Sequence, residues 1–191
     1  MIKARNVVAE GELALMEYYA MANVKYDDND KIDCNDVIEI VRRKVIVDVE
    51  QWDLEDRIRI ETVKGDDVKV MKRRIDELNM MRTRMTEQID SIIRNELSDV
   101  KICREARKAS ESPGMAIDRL CIILVRRHKM EQRRAMMSER SERYEELTRN
   151  LAIVEQQIEF LADAIDCLME EMERGVTQCC WVRQMKMYAN D

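Results

Sequence analysis

The sequence predicts an all-α protein: an antiparallel four-helix bundle with a short N-terminal helix before it and a docked C-terminal tail after it. Three observations carry this. The 191 residues include one proline and four glycines, too few breakers for a sheet-rich or loop-rich fold. Charged residues make up 38%, against roughly 25% in ordinary domains, as expected of long helices with one wet face. Apolar residues also recur at alternating three- and four-residue spacing, the period of one helix face.

A single domain is expected, with residues 1–35 as N-terminal helix and acidic loop, 36–175 as bundle and 176–191 as tail. Residues 9–23 read as the short first helix. The acidic stretch KYDDNDKIDCND tests poorly as an EF-hand. Asp28, Asp30, Asp36 and Glu39 fall at acidic positions, but Ile32 and Asp33 occupy the places of a ligand and of the obligatory glycine. Asp36 with Glu39 reads as a capping pair. The second helix is expected from Asp36 to Val63, with Ile38, Val41, Val45, Val49, Trp52 and Ile60 near one face. Its run VIVDV is β-branched, but the three-four spacing continues on both sides.

Gly65 punctuates, with Asp66 or Asp67 capping the third helix. There Val68, Met71, Ile75, Leu78, Arg82, Met85, Ile89 and Ile92 form one stripe, apolar except at Arg82. A tight hairpin at Gly65 sets equidistant residues level, so Asp48 faces Arg82 and Glu55 faces Asp76. A buried guanidinium needs a carboxylate; Asp48 is the expected partner, or else Glu55 or Asp56. Residues 98–112 are an interruption with at most a frayed turn. Ser112-Pro113 starts the fourth helix, which runs to about Met136 with Ile117, Leu120, Cys121 and Leu124 inward and His128 continuing the row. Ser138 or Ser141 starts the fifth, whose stripe from Tyr144 through Leu151, Ile158 and Ile165 to Met172 is unbroken until Gly175 closes it. Trp181, Met185, Met187 and Tyr188 suggest that the tail docks.

Net charge is −6 with both signs interspersed, so no nucleic-acid face is expected. No apolar run is long enough to span a membrane. Glu10 and Glu12 interrupt any signal-like core, and the six scattered cysteines lack metal spacing. These point to a cytoplasmic protein with reduced thiols.

The stretches EQWDLEDRIR, KRRIDELNMMRTRMTEQID, SESPGMAIDRLCI and RQMKMYAND occur in this order and at the right spacing. Together they resemble a bacterial all-helical domain-of-unknown-function family, often encoded beside glycosyltransferase genes of cell-envelope polysaccharide clusters. The resemblance covers residues 45–191. Trp52, Glu55, Asp56, Lys72, Arg74, Asp76, Asn79, Arg82, Asp118 and Arg119 match its pattern. The chain departs from it at Asp53 and Lys129, where the pattern implies histidines, and at Met80, Met81 and Arg84, where it implies polar and acidic residues.

The candidate site residues are Glu55, Asp56, Asp76, Asn79 and Arg82. Asp76, Asn79 and Arg82 step by three down one face. The group reads first as a buried polar network that fixes helix register. No cofactor is expected on that reading, and the function is a non-catalytic scaffold or adaptor with a protein partner or a second copy as its ligand. The alternative is a metal-assisted enzyme acting on a phosphorylated or nucleotide-sugar substrate, its carboxylates holding magnesium. A closed, paired network favours the scaffold; an open cleft of converging carboxylates favours the enzyme.

Overall fold

The computed structural model describes residues 2–21, 35–60, 62, 65–181 and 183. The EF-hand-like stretch through Asp33, and Met185, Met187 and Tyr188, lie outside the described residues; the second helix, expected to reach Val63, ends at Ile58 with Arg59 as its C-cap, and Ile60 is exposed. Five helices carry the fold: α1 (Ala4–Ala20), α2 (Val37–Ile58), α3 (Gly65–Glu96), α4 (Pro113–Ala135) and α5 (Glu142–Glu173). The class is all-α. Ser112 and Ser141 cap α4 and α5 through bonds from Met115 N (3.3 Å) and Tyr144 N (3.2 Å). Asp36 caps α2, accepting from Ile38 N at 2.9 Å. Glu39 pairs with Arg43 one helical turn on. Asp66 and Asp67 lie inside the first turn of α3, where they favour the positive end of the helix dipole.

Three differences from expectation have physical causes. First, α1 starts at Ala4, runs through Gly11 and is a full member of the core, burying Val7, Ala14, Leu15 and Tyr18. Gly11 is where it crosses its neighbours: a Cβ there would sit 2.8 Å from Leu124 Cδ1 and 3.5 Å from Val45 Cγ2. Second, α2 is no one-sided helix. Every residue from Lys44 to Gln51 is buried, because α1, α3 and α4 all pack on it. Third, the stretch before α4 holds β1 (Arg107–Lys108), which pairs in parallel with β2 (Thr177–Gln178).

All five helices contribute to one apolar core. α4 touches each of the other four, whereas α5 lies against α1 and α4 and not against α2 or α3. Charged clamps set the register. Arg42 of α2 holds Glu10 (2.6 Å) and Glu17 (2.5 Å) of α1. Arg127 of α4 holds Glu12 of α1 (2.7 Å). Asp166 of α5 accepts from Ala4 N at 2.8 Å, satisfying a free donor at the start of α1. Arg74 of α3 grips both oxygens of the buried Glu50 of α2, at 2.9 and 3.1 Å, a two-point geometry that only arginine offers. No helix among the described residues is long and apolar enough to cross a membrane.

Beyond α5 the chain turns back at Gly175, with φ +70°. Its carbonyl accepts from Cys103 N at 2.8 Å, and Trp181 packs partly buried on the core. A Cβ on Gly175 would collide with the Lys101 carbonyl oxygen. Left-handed φ and this collision act together, so Gly175→Ala is expected to lower the free energy of unfolding by at least about 2 kcal/mol in urea denaturation.

Candidate functional site

The centre of the molecule is a cluster of four charges. Lys44 and Asp48 stand one turn apart on α2, with Nζ 2.8 Å from Oδ2. Arg82 of α3 reaches the other oxygen of Asp48, Nε to Oδ1, at 2.6 Å. Asp118 of α4 closes the ring, 2.5 Å from Lys44 Nζ and 3.4 Å from Arg82 Nη2. The side chains of Lys44 and Asp48 are 0% and 4% exposed, those of Arg82 and Asp118 20% and 27%. Two cations thus meet two carboxylates, mostly out of water, with one edge towards solvent.

Burial sets the titration of this cluster. It pushes the Asp48 carboxyl above the ordinary carboxylate value, against the pull of Lys44 and Arg82. It also works against the Lys44 ammonium and the Arg82 guanidinium, but Asp48 and Asp118 outweigh it and hold both above their ordinary values. Burial pushes the nearby Cys121 thiol up to about 12, so it stays protonated. Cys103, Cys121, Cys167, Cys179 and Cys180 are all free.

The expected ion pair between Arg82 and Asp48 is present. Gln51 joins part of the remaining candidate group to it. Its Nε2 donates to Glu55 Oε1 (3.1 Å) and Asn79 Oδ1 (3.3 Å), and its Oε1 accepts from Arg82 Nη1 (3.5 Å). Glu55, Asn79 and Arg82 therefore come together. Asp56 lies elsewhere, bonded to Trp52 Nε1 (3.2 Å) and Arg133 Nη2 (3.0 Å). Asp76 is exposed on α3. A cavity of about 150 Å³, lined by Gln51, Trp52, Glu55, Arg82, Ile122 and Val125, opens beside Asp48. Among the described residues no three of His, Cys, Asp and Glu are grouped to hold a metal ion.

α2 and α4 run parallel, joined by a ladder of ion pairs. Lys44–Asp118 is the first rung, Asp53–Lys129 the second and Asp56–Arg133 the third. The second rung joins the two positions at which the family resemblance implies histidine. Above it the Tyr19 ring lies 5.1 Å from Lys129 Nζ, a cation–π distance, and stacks on His128 at 4.8 Å. Reasoning from the sequence missed Lys44 and Gln51 as members of the centre. The signal for Lys44 was present: it stands four residues before Asp48 and between Val41 and Val45, on a buried face.

Removing one partner of such a cluster strands the others. Asp48→Ala is expected to cost about 3–5 kcal/mol in urea unfolding, and Arg82→Met to cost less in that background than alone. His128 gives a pH signature. Burial holds its imidazole below the ordinary 6.5, Lys129 and Arg127 adding to this and Glu131 and Asp53 opposing it. The unfolded ring takes a proton first as pH falls through about 6.5, so its contribution is present above that pH and lost below it. Melting temperature should therefore drop between about pH 7 and pH 5.5 by more in the wild type than in His128→Phe.

No curated protein and no solved structure matches the chain. The family described as "Protein of unknown function (DUF4254)" matches residues 38–180, a span that holds the whole charge cluster and the ion-pair ladder. On that match, the chain belongs to the DUF4254 family.

Proposed function

We propose that this chain is a non-catalytic helical scaffold or adaptor of the cytoplasm whose ligand is a protein, either a partner or a second copy. Its link to cell-envelope polysaccharide synthesis comes from the resemblance of its ordered motifs to a family encoded beside glycosyltransferases. The observation that carries the reading is the closure of the polar centre. Lys44 and Arg82 are each paired to both Asp48 and Asp118. Charges engaged with one another in this way hold helices in register and leave little capacity for a substrate. The adjoining cavity, about 150 Å³, is half the roughly 300 Å³ at which small-molecule sites begin.

A metal-assisted enzyme would need its carboxylates to converge. Asp76 is exposed on α3, Asp56 is turned to Trp52 and Arg133 at the edge of a separate open groove of about 1150 Å³, and Glu55 borders the small cavity with Asp48, whose oxygens are already engaged by Lys44 and Arg82. At the positions where the resemblance implies two histidines, Asp53 and Lys129 neutralise each other.

Calorimetry against magnesium, manganese and a nucleotide sugar such as UDP-glucose tests this. No saturable heat is expected with any of them. Saturable binding that disappears in Glu55→Gln or Arg82→Met would overturn the reading in favour of the enzyme.

A further inference from the structure

The start and the middle of α1 are pinned to the bundle by groups with dedicated partners. Asp166 holds Ala4 N, Arg127 holds Glu12, and Arg42 holds Glu10 and Glu17. The last turn is held differently. Met21 N still donates to Glu17 O at 3.0 Å, but Ala20 and Met21 are exposed. Past the buried Tyr18, what fastens this turn to α4 is Tyr19. Its ring lies on the His128 imidazole, centroids 4.8 Å apart and planes 20° from parallel, with Lys129 Nζ 5.1 Å from its centre.

The surroundings of His128 suit a neutral ring. Nε2 is buried without a hydrogen-bond partner. A neutral imidazole tolerates this by carrying its proton on Nδ1. An imidazolium has a donor on both nitrogens, and one of them would be left unsatisfied out of water. The nearby acids have other partners. Glu131, on the same helix, is 3.8 Å from Arg127 Nε, Asp53 of α2 is taken by Lys129, and Glu12 of α1 by Arg127. Tyr18 and Tyr19 of α1 face the ring as neutral phenols, burial pushing both above their ordinary value. Burial holds the stacked imidazole below its ordinary 6.5, and Arg127 and Lys129 add to this against the pull of Glu131 and Asp53.

We propose that the His128–Tyr19 stack is a proton-operated latch, which holds the last turn of α1 on α4 while the ring is neutral and releases it when the ring takes up a proton. A ring freed from the stack stands in water and takes its proton at about 6.5, before the stacked ring does, so the open form gains as pH falls below that value. Opening stops at Tyr19, because the residues before it are held by ion pairs of Arg42 and Arg127 in which the imidazole has no part. The latch goes beyond the scaffold reading and does not rest on it.

His128 is the only histidine in the chain, so its ring signals in a proton NMR titration are unambiguous. They should titrate below 6.5 in the wild type and move towards that value in Tyr19→Leu. Amide hydrogen exchange, corrected for the intrinsic effect of pH, reads the latch itself. From about pH 7.5 to about pH 5.5 the protection of Tyr19, Ala20 and Met21 should fall, by up to about tenfold for each unit that separates the stacked ring from the freed one, while that of Ala14 and Leu15 holds. In His128→Phe, which keeps an aromatic face and takes no proton, protection of the last turn should stay constant. In Tyr19→Leu it should be low at both values. A wild-type ring titrating at or above 6.5, protection that falls equally in His128→Phe, or a loss spread evenly along α1 would overturn the proposal.

Discussion

Asp48 is held between two cations from two helices, and the interior is arranged around that fact. A carboxylate and an ammonium that are almost wholly buried are costly to remove from water, and only close, complete pairing offsets the cost. The pairing draws on three helices at once: α2 for Lys44 and Asp48, α3 for Arg82, α4 for Asp118, with Arg82 Nε and Asp48 Oδ1 meeting as opposite charges rather than as a hydrogen bond. A slide of one turn along any of them would leave a charge unmatched. The apolar residues around the cluster supply most of the burial energy but are tolerant of small shifts. The charges are not, and they select one register among several that the apolar stripes would allow.

The ladder between α2 and α4 extends this logic outward. Its rungs become more exposed from Lys44–Asp118 to Asp56–Arg133, so the inner rung bears on stability and the outer one little. In the middle rung two departures from the resembled pattern meet. An acid at 53 and a base at 129 satisfy each other where two imidazoles are implied. The contact joins the two helices through a pair whose charges are spent on each other.

Much of this was legible in the residues, and what was not has identifiable causes. A hairpin turning at Gly65 fixes which residues lie level, so the meeting of Asp48 and Arg82 followed from counting. Cap residues and the single proline placed the starts of α4 and α5 closely. Lys44 escaped because a lysine among arginines in VRRKVIVDV looks solvated, and only its neighbours' burial on all sides reveals otherwise. α1 was expected only over residues 9–23, whereas it begins at Ala4 and passes close to Leu124 and Val45 at Gly11. The candidate carboxylates were grouped by helix face and hairpin level, but Asp56, one residue on from Glu55 and so about 100° round the helix, turns to Trp52 and Arg133, and Asp76, one turn before Asn79, stays exposed while Asn79 is half-buried. Two-residue strands such as β1 and β2 have no period to read.

That small bridge ties residues 107–108 to 177–178 across the full length of α4 and α5. Chains are made N-terminus first, so when the crossover after α3 leaves the ribosome, the backbone groups it will pair with do not yet exist. The pairing cannot form until both later helices have been synthesised. The bridge therefore joins the middle of the chain to a part made much later, just as the contacts of Lys3 and Ala4 with α5 join its start to one.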